Sequence, residues 1–416
     1  MRTTRRQVLG AAAIAAVGCR TVPSTLPPRL SWGWTGAVTT SGAKVVTRFE
    51  GAVDATLEVD RDRHVSPVRR DDRGVFTFEL TDLDADRRYP LHVRADTGAE
   101  WIGAVRTFPE ERPTSFKFVA GSCCETGSAH PVFETMRRHD PRVFVQLGDL
   151  HYEDIDEDSE ARFRAAYDVV LTSKSQSSLY REVPVAYVWD DHDFGRNNSD
   201  RTSASRNAAN AAYRACVPHH PLISETGVFH AFTVGRVRFL MTDCRSQRTP
   251  RGVAHRYRTM LGAKQKAWLK EELLASKGRY ALVVWVSPVG WIGATLDDDA
   301  WPGYPGERAE LALFLAEHGI DNVLMLAGDA HMLAIDDGRN NRYGHAGHAQ
   351  FPVFHVAALD QGGSEKGGPY SHGVAVGRGQ FGLVEVEDRT HEIEVRLTGR
   401  DAEDTVLLEH TFVLPG

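Results

Sequence analysis

The chain between residues 143 and 152 reads VFVQLGDLHY. The largely apolar run Val143–Leu147 has the length and composition of a strand in a buried sheet. It ends at Gly148, and the ligand-type side chains of Asp149 and Tyr152 follow directly. A buried strand that ends in polar side chains is typical of a mixed α/β domain, in which ligands bind at the carboxyl ends of strands. The segment therefore predicts the fold class and the place where the chemistry lies.

Three further apolar runs of the chain end in the same kind of polar cluster. The runs and the residues that follow them are Phe116–Ala120 with Cys123 and Cys124; Val185–Trp189 with Asp190, Asp191, His192, Asp193, Asn197 and Asn198; and Val323–Ala327 with Asp329 and His331. One such cluster is compatible with a simple turn or helix cap, because Asp, Asn and Gly favour turns. Four clusters after four predicted strands instead indicate one composite site, since loops at strand ends converge although they are distant in sequence.

The side chains in these clusters are of two chemical kinds, which predicts two unlike metal ions. Carboxylates and the Asn carbonyl are hard oxygen ligands that suit Ca²⁺, Mg²⁺ or Mn²⁺, whereas Cys and His suit iron or zinc. Asp149 has two carboxylate oxygens and would bridge the two ions. Tyr152 would add a phenolate, and a phenolate, a thiolate and a carboxylate together favour a trivalent ion such as Fe³⁺. Two metals roughly 3.5–4 Å apart form the clamp used for displacement at phosphorus.

The composition of the 416-residue chain is that of a globular protein, and it excludes several classes of function. With 49 Lys and Arg against 56 Asp and Glu, the net charge is −7, which is not the charge of a protein that grips nucleic acid as a polyanion. Five cysteines are too few for a disulfide scaffold. A mean hydropathy of −0.35, without an 18-residue apolar run after the N-terminus, excludes a bundle of membrane helices.

The length predicts two domains joined by a short linker. Residues 31–108 show short strands with alternating apolar residues, and Leu83 and Tyr89 resemble the corner of a fibronectin- or immunoglobulin-like β-sandwich. Residues 109–113 form a polar linker that contains two prolines. From residue 115 to residue 416 apolar strands alternate with helical patterns, which predicts the mixed α/β domain. The small all-β N-terminal domain carries no titratable constellation and is predicted to be a packing module.

The N-terminus is predicted to be an export signal. Residues 1–18 contain the adjacent pair Arg5 and Arg6 ahead of a short apolar stretch, which resembles a twin-arginine signal read by the export machinery. Cys19 then occupies the position of the acylated residue of a bacterial lipoprotein, and residues 19–30 form a tether that contains prolines. The sequence therefore predicts export to the periplasm. Cys19 would either carry a lipid anchor in the membrane or be lost by simple cleavage nearby, which leaves a soluble protein.

In their order and spacing, the four clusters resemble the PhoD-like alkaline phosphatases and phosphodiesterases, which belong to the calcineurin-like metallophosphoesterases. The matching motifs are Ala120-Gly121-Ser122-Cys123, Gly148-Asp149-x-x-Tyr152, Trp189-Asp190-Asp191-His192-Asp193 with Asn197-Asn198, and Gly328-Asp329-Ala330-His331. The Gly-Asp-x-x-Tyr element alone also resembles the purple acid phosphatases, in which the Tyr ligates Fe³⁺. The resemblance covers residues 31–416.

The resemblance implies a four-layer αββα sandwich that holds one Fe³⁺ and one or two Ca²⁺. The implied iron ligands are Cys123, Asp149, Tyr152 and His331. The implied calcium ligands are Asp149, either Asp190 or Asp191, either Asn197 or Asn198, and Asp329. His192 would face the substrate, where it would stabilise developing charge or protonate the leaving oxygen.

The same resemblance implies an exported phosphoric ester hydrolase that uses metal-activated water on phosphomonoesters, phosphodiesters or both. Its substrates would be small-molecule or lipid phosphate esters. The alternative hypothesis is a surface lipoprotein that keeps the fold as a catalytically silent binding module. That alternative predicts losses among the ligands, whereas every expected position holds a competent side chain. Hydrolysis of a non-phosphate ester by the same metals is a third hypothesis.

Two further groups each have two interpretations. Arg245 follows a predicted strand and would either clamp the phosphate bidentately, as a substrate-binding residue, or form a structural network with Asp243. Trp291, Trp301 and Tyr304 would either form a hydrophobic wall for the leaving group or pack in an ordinary loop. The sequence alone leaves both choices open.

Overall fold

The computed structural model describes residues 30–296, 299–344 and 350–416. The predicted twin-arginine signal and the predicted lipidation site at Cys19 lie outside the described residues. In the described part of the chain, none of the helices has both the length and the apolar character required to cross a bilayer.

The described residues form a mixed α/β fold built on three β-sheets. The strands are β1 Ser31–Gly36, β2 Ala43–Phe49, β3 Ala55–Val59, β4 Arg63–Val65, β5 Arg69–Arg70, β6 Val75–Leu80, β7 Arg88–Ala95, β8 Glu100–Arg106, β9 Phe116–Gly121, β10 Phe144–Gln146, β11 Val185–Tyr187, β12 His230–Val234, β13 Val237–Met241, β14 Leu282–Ser287, β15 Val323–Ala327, β16 Met332–Asp336, β17 Val353–Val356, β18 Val374–Val376, β19 Phe381–Asp388, β20 Glu392–Arg400 and β21 Val406–Pro415. The α-helices are α1 Val132–Arg138, α2 Glu160–Thr172, α3 Lys174–Tyr180, α4 Asp191–Phe194, α5 Arg206–Cys216, α6 Gly262–Ser276 and α7 Pro305–Glu317, and short 3₁₀ turns occur at His255–Tyr257 and Trp301–Gly303.

The first large sheet has ten strands in the order β21-β20-β19-β9-β10-β11-β1-β2-β6-β5. Its centre is the parallel trio β9, β10 and β11, in which Phe144 of β10 is registered with Val119 on one side and Val185 on the other. Every residue of β10 and β11 is buried, as expected for parallel strands that are covered on both faces. Because the three strands run in the same direction, the residues that follow them emerge at one edge of the sheet.

The second large sheet has seven strands in the order β12-β13-β14-β15-β17-β16-β18. Its strands β14 and β15 are parallel neighbours and are buried throughout. On one face, Leu269 of α6 and Leu311 of α7 share a hydrophobic cluster with Trp285 of β14. On the other face, Phe239 of β13 meets Phe118 of β9 edge to face, with ring centroids 5.2 Å apart. The two large sheets therefore contribute to one core.

The strands of residues 31–108 divide between two sheets. β4, β3, β7 and β8 form a four-stranded sheet in that order, whereas β1, β2, β6 and β5 extend the ten-stranded sheet. β1 pairs in parallel with β11, with Gly36 opposite Val185, and the indole nitrogen of Trp34 donates a hydrogen bond to the carbonyl of Cys216 at 2.8 Å. Backbone pairing therefore crosses the predicted boundary after residue 108. The separate N-terminal domain and the four-layer arrangement stay predictions.

Candidate metal centre

The loops that follow β9, β10 and β11 of the first sheet meet the loop after β15 of the second sheet. The Cys123 sulfur lies 3.5 Å from Oδ2 of Asp149 and 3.7 Å from the main-chain oxygen of Asp329. The backbone nitrogen of His192 lies 3.4 Å from Oδ1 of Asp149. The four clusters that the sequence spreads over more than 200 residues are thus brought together at one edge of the fold.

Three residues of this centre have a left-handed backbone conformation. The φ angles are 61° at Cys123, 53° at Asp149 and 70° at Asp329, in a region that non-glycine residues adopt only at a cost of about 1–3 kcal/mol each. Gly148 has a φ of 97°, and a Cβ atom there would lie 2.5 Å from the Cβ of Asp190. The chain therefore turns sharply at the strand ends, and only glycine allows the close approach of the Asp149 and Asp190 loops.

Two overlapping groups of side chains have ligand atoms that lie within 4.8 Å of one another, and each group could hold a metal ion. The first ligand group consists of Asp149, Asp191 and His192, and the second ligand group consists of Asp190, Asp191 and Asp329. Asp191 belongs to both groups. Asp149, which the sequence predicts as the bridging ligand, belongs to one group only, and its role as a bridge stays a prediction.

The four predicted iron ligands are also neighbours in the structure. The Tyr152 hydroxyl donates a hydrogen bond to Oδ2 of Asp149 at 2.9 Å and lies 3.1 Å from Nε2 of His331. The other ring nitrogen of His331, Nδ1, lies 2.7 Å from the carbonyl of Gly362. Assigning the proton to Nδ1 leaves the Nε2 lone pair directed at the site, as in many histidine metal ligands. Together with Cys123, these residues form a compact set of one thiol, one phenol, one imidazole and one carboxylate.

The donor atoms of the centre fit cations because their charge is buried and incompletely compensated. Asp149, Asp190 and Asp191 are at most 2% exposed, and Oδ2 of Asp190 and Oδ1 of Asp191 have no hydrogen-bond partner among the described residues. Burial, reinforced by Asp191, raises the pKa of Asp149, and burial also raises the pKa of the Cys123 thiol. Unpaired buried carboxylate oxygens are costly, and hard cations are their natural partners.

We expect calcium to stabilise the metal-free protein, and to do so more at pH 8 than at pH 5. Burial raises the pKa of Asp149 and Asp190, so the metal-free fold loses stability as the pH rises above the range in which an unfolded Asp titrates. A bound cation favours the charged form of these carboxyls, so calcium binding and its stabilising effect increase with pH. At a calcium concentration of about 100 times Kd, the melting temperature at pH 8 should rise by about 3 °C.

Thermal unfolding of chelator-treated protein, with and without calcium chloride, measures this difference. The matched control is Asp191→Asn, which removes the carboxylate common to both ligand groups and should show a smaller shift. An equal calcium effect at both pH values, or the same effect in Asp191→Asn, would contradict the predicted site.

Arg245 is placed among the carboxylates rather than at the open side of the site. Its side chain is fully buried, its Nε lies 2.5 Å from Oδ1 of Asp190, and a terminal nitrogen lies 2.9 Å from Oδ2 of Asp299. Burial acts to raise the pKa of Asp191, but Arg245 and His192 outweigh it and lower that pKa. The placement favours a positioning role over the predicted contact with phosphate.

The structural network of Arg245 also differs from the predicted one. Its guanidinium pairs with Asp190 and Asp299, whereas only its backbone nitrogen donates to Asp243, at 2.9 Å. Asp299 accepts a second cation, Arg248, at 3.2 Å. Asp299 belongs to none of the four sequence clusters, and no motif around it would have indicated its role.

His192 lies at the mouth of the centre, where a residue that sequence reasoning missed orients it. Its Nδ1 lies 2.6 Å from Oδ1 of Asp154, and its ring packs against that of Tyr152 at a tilt of 32°, with centroids 4.1 Å apart. Asp154 also accepts a hydrogen bond from the backbone nitrogen of Asn197 at 3.1 Å. Its position two residues after Tyr152, in the same loop, was the available signal.

Asn197 and Asn198 lie beside the centre, and the choice between them as ligands stays a prediction. The backbone nitrogen of Asn198 donates to Oδ2 of Asp191 at 2.5 Å. With the Asn198 amide oriented to satisfy its neighbours, its nitrogen donates to Asp299 at 3.1 Å and its oxygen accepts from the Asn197 amide at 3.0 Å. Asn198 thus connects Asp191, which both ligand groups share, to Asp299.

Asp193 is a third residue whose role the sequence did not indicate. Its Oδ1 accepts hydrogen bonds from the backbone nitrogens of Leu150 at 2.7 Å and His151 at 3.2 Å, and its Oδ2 accepts one from that of Asp190 at 3.1 Å. Burial raises the pKa of Asp193 to about 6, and these hydrogen bonds oppose the rise. The carboxylate ties the loop after β10 to the loop after β11.

The three aromatic residues near the site do not form an open wall. Trp291, Trp301 and Tyr304 are at most 1% exposed, and the rings of Trp291 and Trp301 meet edge to face 5.1 Å apart. The packing interpretation therefore holds for them. A cavity of about 330 Å³ with mostly polar walls opens instead beside Asn197 and Asn198.

Comparison with known proteins gives concordant results. A model of the PhoD-like phosphatase family matches residues 116–377, which is more than half of the chain. The alignment with alkaline phosphatase D of Bacillus subtilis (strain 168) is 340 residues long, gaps included, at 24% identity; it covers 67% of this chain, and the chain spans 58% of that protein's length. A solved structure of PhoD superposes with a TM-score of 0.76 at 18% identity, covering 94% of this chain and 90% of that one. The superposition shows a shared fold.

Proposed function

Because the chain belongs to the PhoD-like phosphatase family, we propose that it is a metal-dependent phosphoric ester hydrolase that cleaves phosphomonoesters, phosphodiesters or both. The observation that carries the proposal is the pair of buried carboxylate oxygens without hydrogen-bond partners, Oδ2 of Asp190 and Oδ1 of Asp191. They belong to the ligand groups that also contain Asp149 and Asp329. Two adjacent cation sites of this kind are the arrangement used for in-line displacement at phosphorus.

We propose Fe³⁺ together with one or two Ca²⁺ as the resident ions. Thiol, phenol and imidazole ligands suit iron, and the carboxylate group suits calcium. When bound, such ions supply Lewis-acid polarisation of the phosphoryl group and a nucleophile at neutral pH. The proposed iron ligands are Cys123, Asp149, Tyr152 and His331, and the proposed calcium ligands are Asp149, Asp190, Asp191, Asp329 and one of Asn197 and Asn198.

The protein's own groups position the substrate and move the proton. His192 is the proposed catalytic residue: Asp154 holds its Nδ1 at 2.6 Å, which leaves Nε2 to protonate the leaving oxygen or to stabilise charge that develops on the phosphoryl group. Arg245 is fully buried behind the site, and its ion pairs with the carboxylates of Asp190 and Asp191 hold them in position. The side chain of His192 is 14% exposed and that of Arg245 is 0% exposed, so His192 is assigned to the substrate and Arg245 to the architecture of the site.

Export through the twin-arginine pathway, periplasmic location and lipid anchoring at Cys19 belong to the same proposal. The proposal also includes small-molecule or lipid phosphate esters as substrates. It further includes the four-layer αββα arrangement of residues 115–416 and the small β domain of residues 31–108. They are supported by the N-terminal sequence pattern and by the motifs. A folded protein with buried metals is suited to an export route that carries folded chains.

The test is hydrolysis of p-nitrophenyl phosphate and bis-p-nitrophenyl phosphate by protein purified with its native metals. We expect turnover of at least one ester, and Cys123→Ala should lower it by roughly 100-fold or more, because a metal ligand is lost. Cys124→Ala is the matched control, since its sulfur faces the Glu125 carbonyl and Gln176.

Three outcomes separate the hypotheses. Turnover that depends on Cys123 but not on Cys124 supports the proposal, and the ratio of the two rates places the enzyme among monoesterases or diesterases. No turnover with iron and calcium present by elemental analysis points to a narrow natural substrate. The absence of both turnover and metal would overturn the proposal in favour of the binding module.

A further inference from the structure

Among the described residues, Lys366 is the only lysine whose ammonium group contacts the second ligand group. Its Nζ lies 3.2 Å from each carboxylate oxygen of Asp329. The Lys366 side chain is 43% exposed, whereas that of Arg245, the other cation of this group, is 0% exposed. Lys366 is therefore the cation that solvent, and hence a substrate, can reach.

The backbone that carries Lys366 is fixed by the metal centre itself. Ser364 exchanges two hydrogen bonds with His331, one from its backbone nitrogen to the His331 carbonyl at 3.0 Å and one accepted by its hydroxyl at 3.3 Å. The Tyr370 hydroxyl donates to the Lys366 carbonyl at 3.1 Å. Gly367 has a φ of 74°, and a Cβ atom there would lie 2.2 Å from the carbonyl oxygen of Ile292. The loop is thus held in place while the flexible stem of the lysine projects from it.

The Lys366–Asp329 pair and a bound cation compete for the same oxygens. Asp329 shares its ligand group with Asp190 and Asp191. A divalent ion held by these three carboxylates compensates the charge of Asp329 and repels the ammonium group. The ammonium then stays at the rim of the site, because its loop is fixed, but it lacks the partner that it has in the metal-free protein.

We propose that Lys366 is a substrate-binding residue that turns from Asp329 to the phosphoryl oxygens when the metals are bound, and that it favours monoesters over diesters. The inference rests on the proposed function. A monoester presents two negative charges and three non-bridging oxygens, whereas a diester presents one charge and two such oxygens. The positive charge of Lys366 at the rim therefore stabilises a bound monoester more than a bound diester. Lys366 takes the role that the sequence suggested for Arg245.

The test compares Lys366→Met with Lys366→Arg in the metal-loaded protein. Lys366→Met keeps the length of the side chain without its charge, and Lys264→Met, on the exposed face of α6, is the matched control. We expect Lys366→Met to lower kcat/KM for p-nitrophenyl phosphate roughly tenfold, as for the loss of one charged hydrogen bond, and that for bis-p-nitrophenyl phosphate by less than about threefold. Lys366→Arg should retain most of the preference for the monoester.

Two measurements that do not depend on turnover complete the test. Calorimetric titration with inorganic phosphate should give a Kd roughly tenfold weaker in Lys366→Met than in the wild-type protein. Calcium titration of the metal-free variant should show binding at least as tight as that of the wild type, because a competitor for Asp329 has been removed.

Each outcome supports or overturns the proposal. Unchanged phosphate binding, equal losses on both esters, or weaker calcium binding would overturn it, since the last two indicate that Lys366 merely maintains the metal centre. Wild-type protein that contains no metal and hydrolyses neither ester would refute the proposed function, whereas in metal-loaded protein without turnover the phosphate titration still decides the role of Lys366. No phosphate binding by the metal-loaded wild type would overturn the role.

Discussion

Replacing Asp149 with asparagine is expected to lower turnover by roughly 1,000-fold or more without unfolding the protein. The carboxylate lies 2.9 Å from the Tyr152 hydroxyl and 3.5 Å from the Cys123 sulfur, and it belongs to the first ligand group with Asp191 and His192. Asparagine has the same shape, so packing is kept. Its neutral amide removes one anionic ligand and turns a donor group toward the metal position or Tyr152.

The measurement is kcat on whichever p-nitrophenyl ester the wild type hydrolyses, together with metal content and melting temperature. Glu153→Gln is the matched control, because it makes the same chemical change four residues along in an exposed position. Its activity should stay within about twofold of the wild type. Activity near wild type in Asp149→Asn would refute the metal assignment, whatever the stability of the variant.

Replacing Arg245 with alanine is expected to destabilise the metal-free protein by about 3–5 kcal/mol. The guanidinium is fully buried between Asp190 and Asp299, and its removal takes one compensating charge away from both buried carboxylates. Arg248 still pairs with Asp299 at 3.2 Å, but Asp190 has no comparable replacement among its described partners. The loss of stability therefore arises mainly at Asp190, in the second ligand group.

Urea unfolding of the metal-free protein at neutral pH measures the effect as a shift of the midpoint. Arg389→Ala is the control: that arginine is 50% exposed and pairs with Glu387 and Glu392, which are similarly exposed, so its loss should cost less than about 0.5 kcal/mol. Equal midpoints for the two variants would contradict the positioning role of Arg245. They would also revive its predicted role as a phosphate clamp.

The sequence predicted which residues meet, because strand direction and polar side chains are both local signals. A buried strand followed by Asp149, or by Asp190 and Asp191, can be recognised from a dozen residues, and parallel pairing of β9, β10 and β11 then brings their ends together. The family resemblance inferred from the four motifs is confirmed by the match of residues 116–377 to the family model.

The sequence did not predict the partners that hold these residues, because those contacts depend on loop geometry. Asp299 reaches Arg245 across 54 positions, and Lys366 reaches Asp329 from a glycine-rich loop that has no strand pattern. The solvent exposure of the two cationic side chains could not be predicted from the sequence either. Arg245 and Lys366 both lie near the motifs, and only the structure shows which one is buried.

The strand order of the first sheet has a consequence for the time at which the centre can be completed. β9 lies between β10 and β19, and β11 lies between β10 and β1, so the three strands that carry the ligand loops are flanked by one early and one late strand of the described chain. Pairing between strands that are far apart in sequence is slow, because the entropy of closing the intervening loop is lost before the pairing contacts form. The ligand set is therefore complete only after strands from distant parts of the chain have paired, and cations captured earlier by the carboxylates would meet an unfinished ligand set.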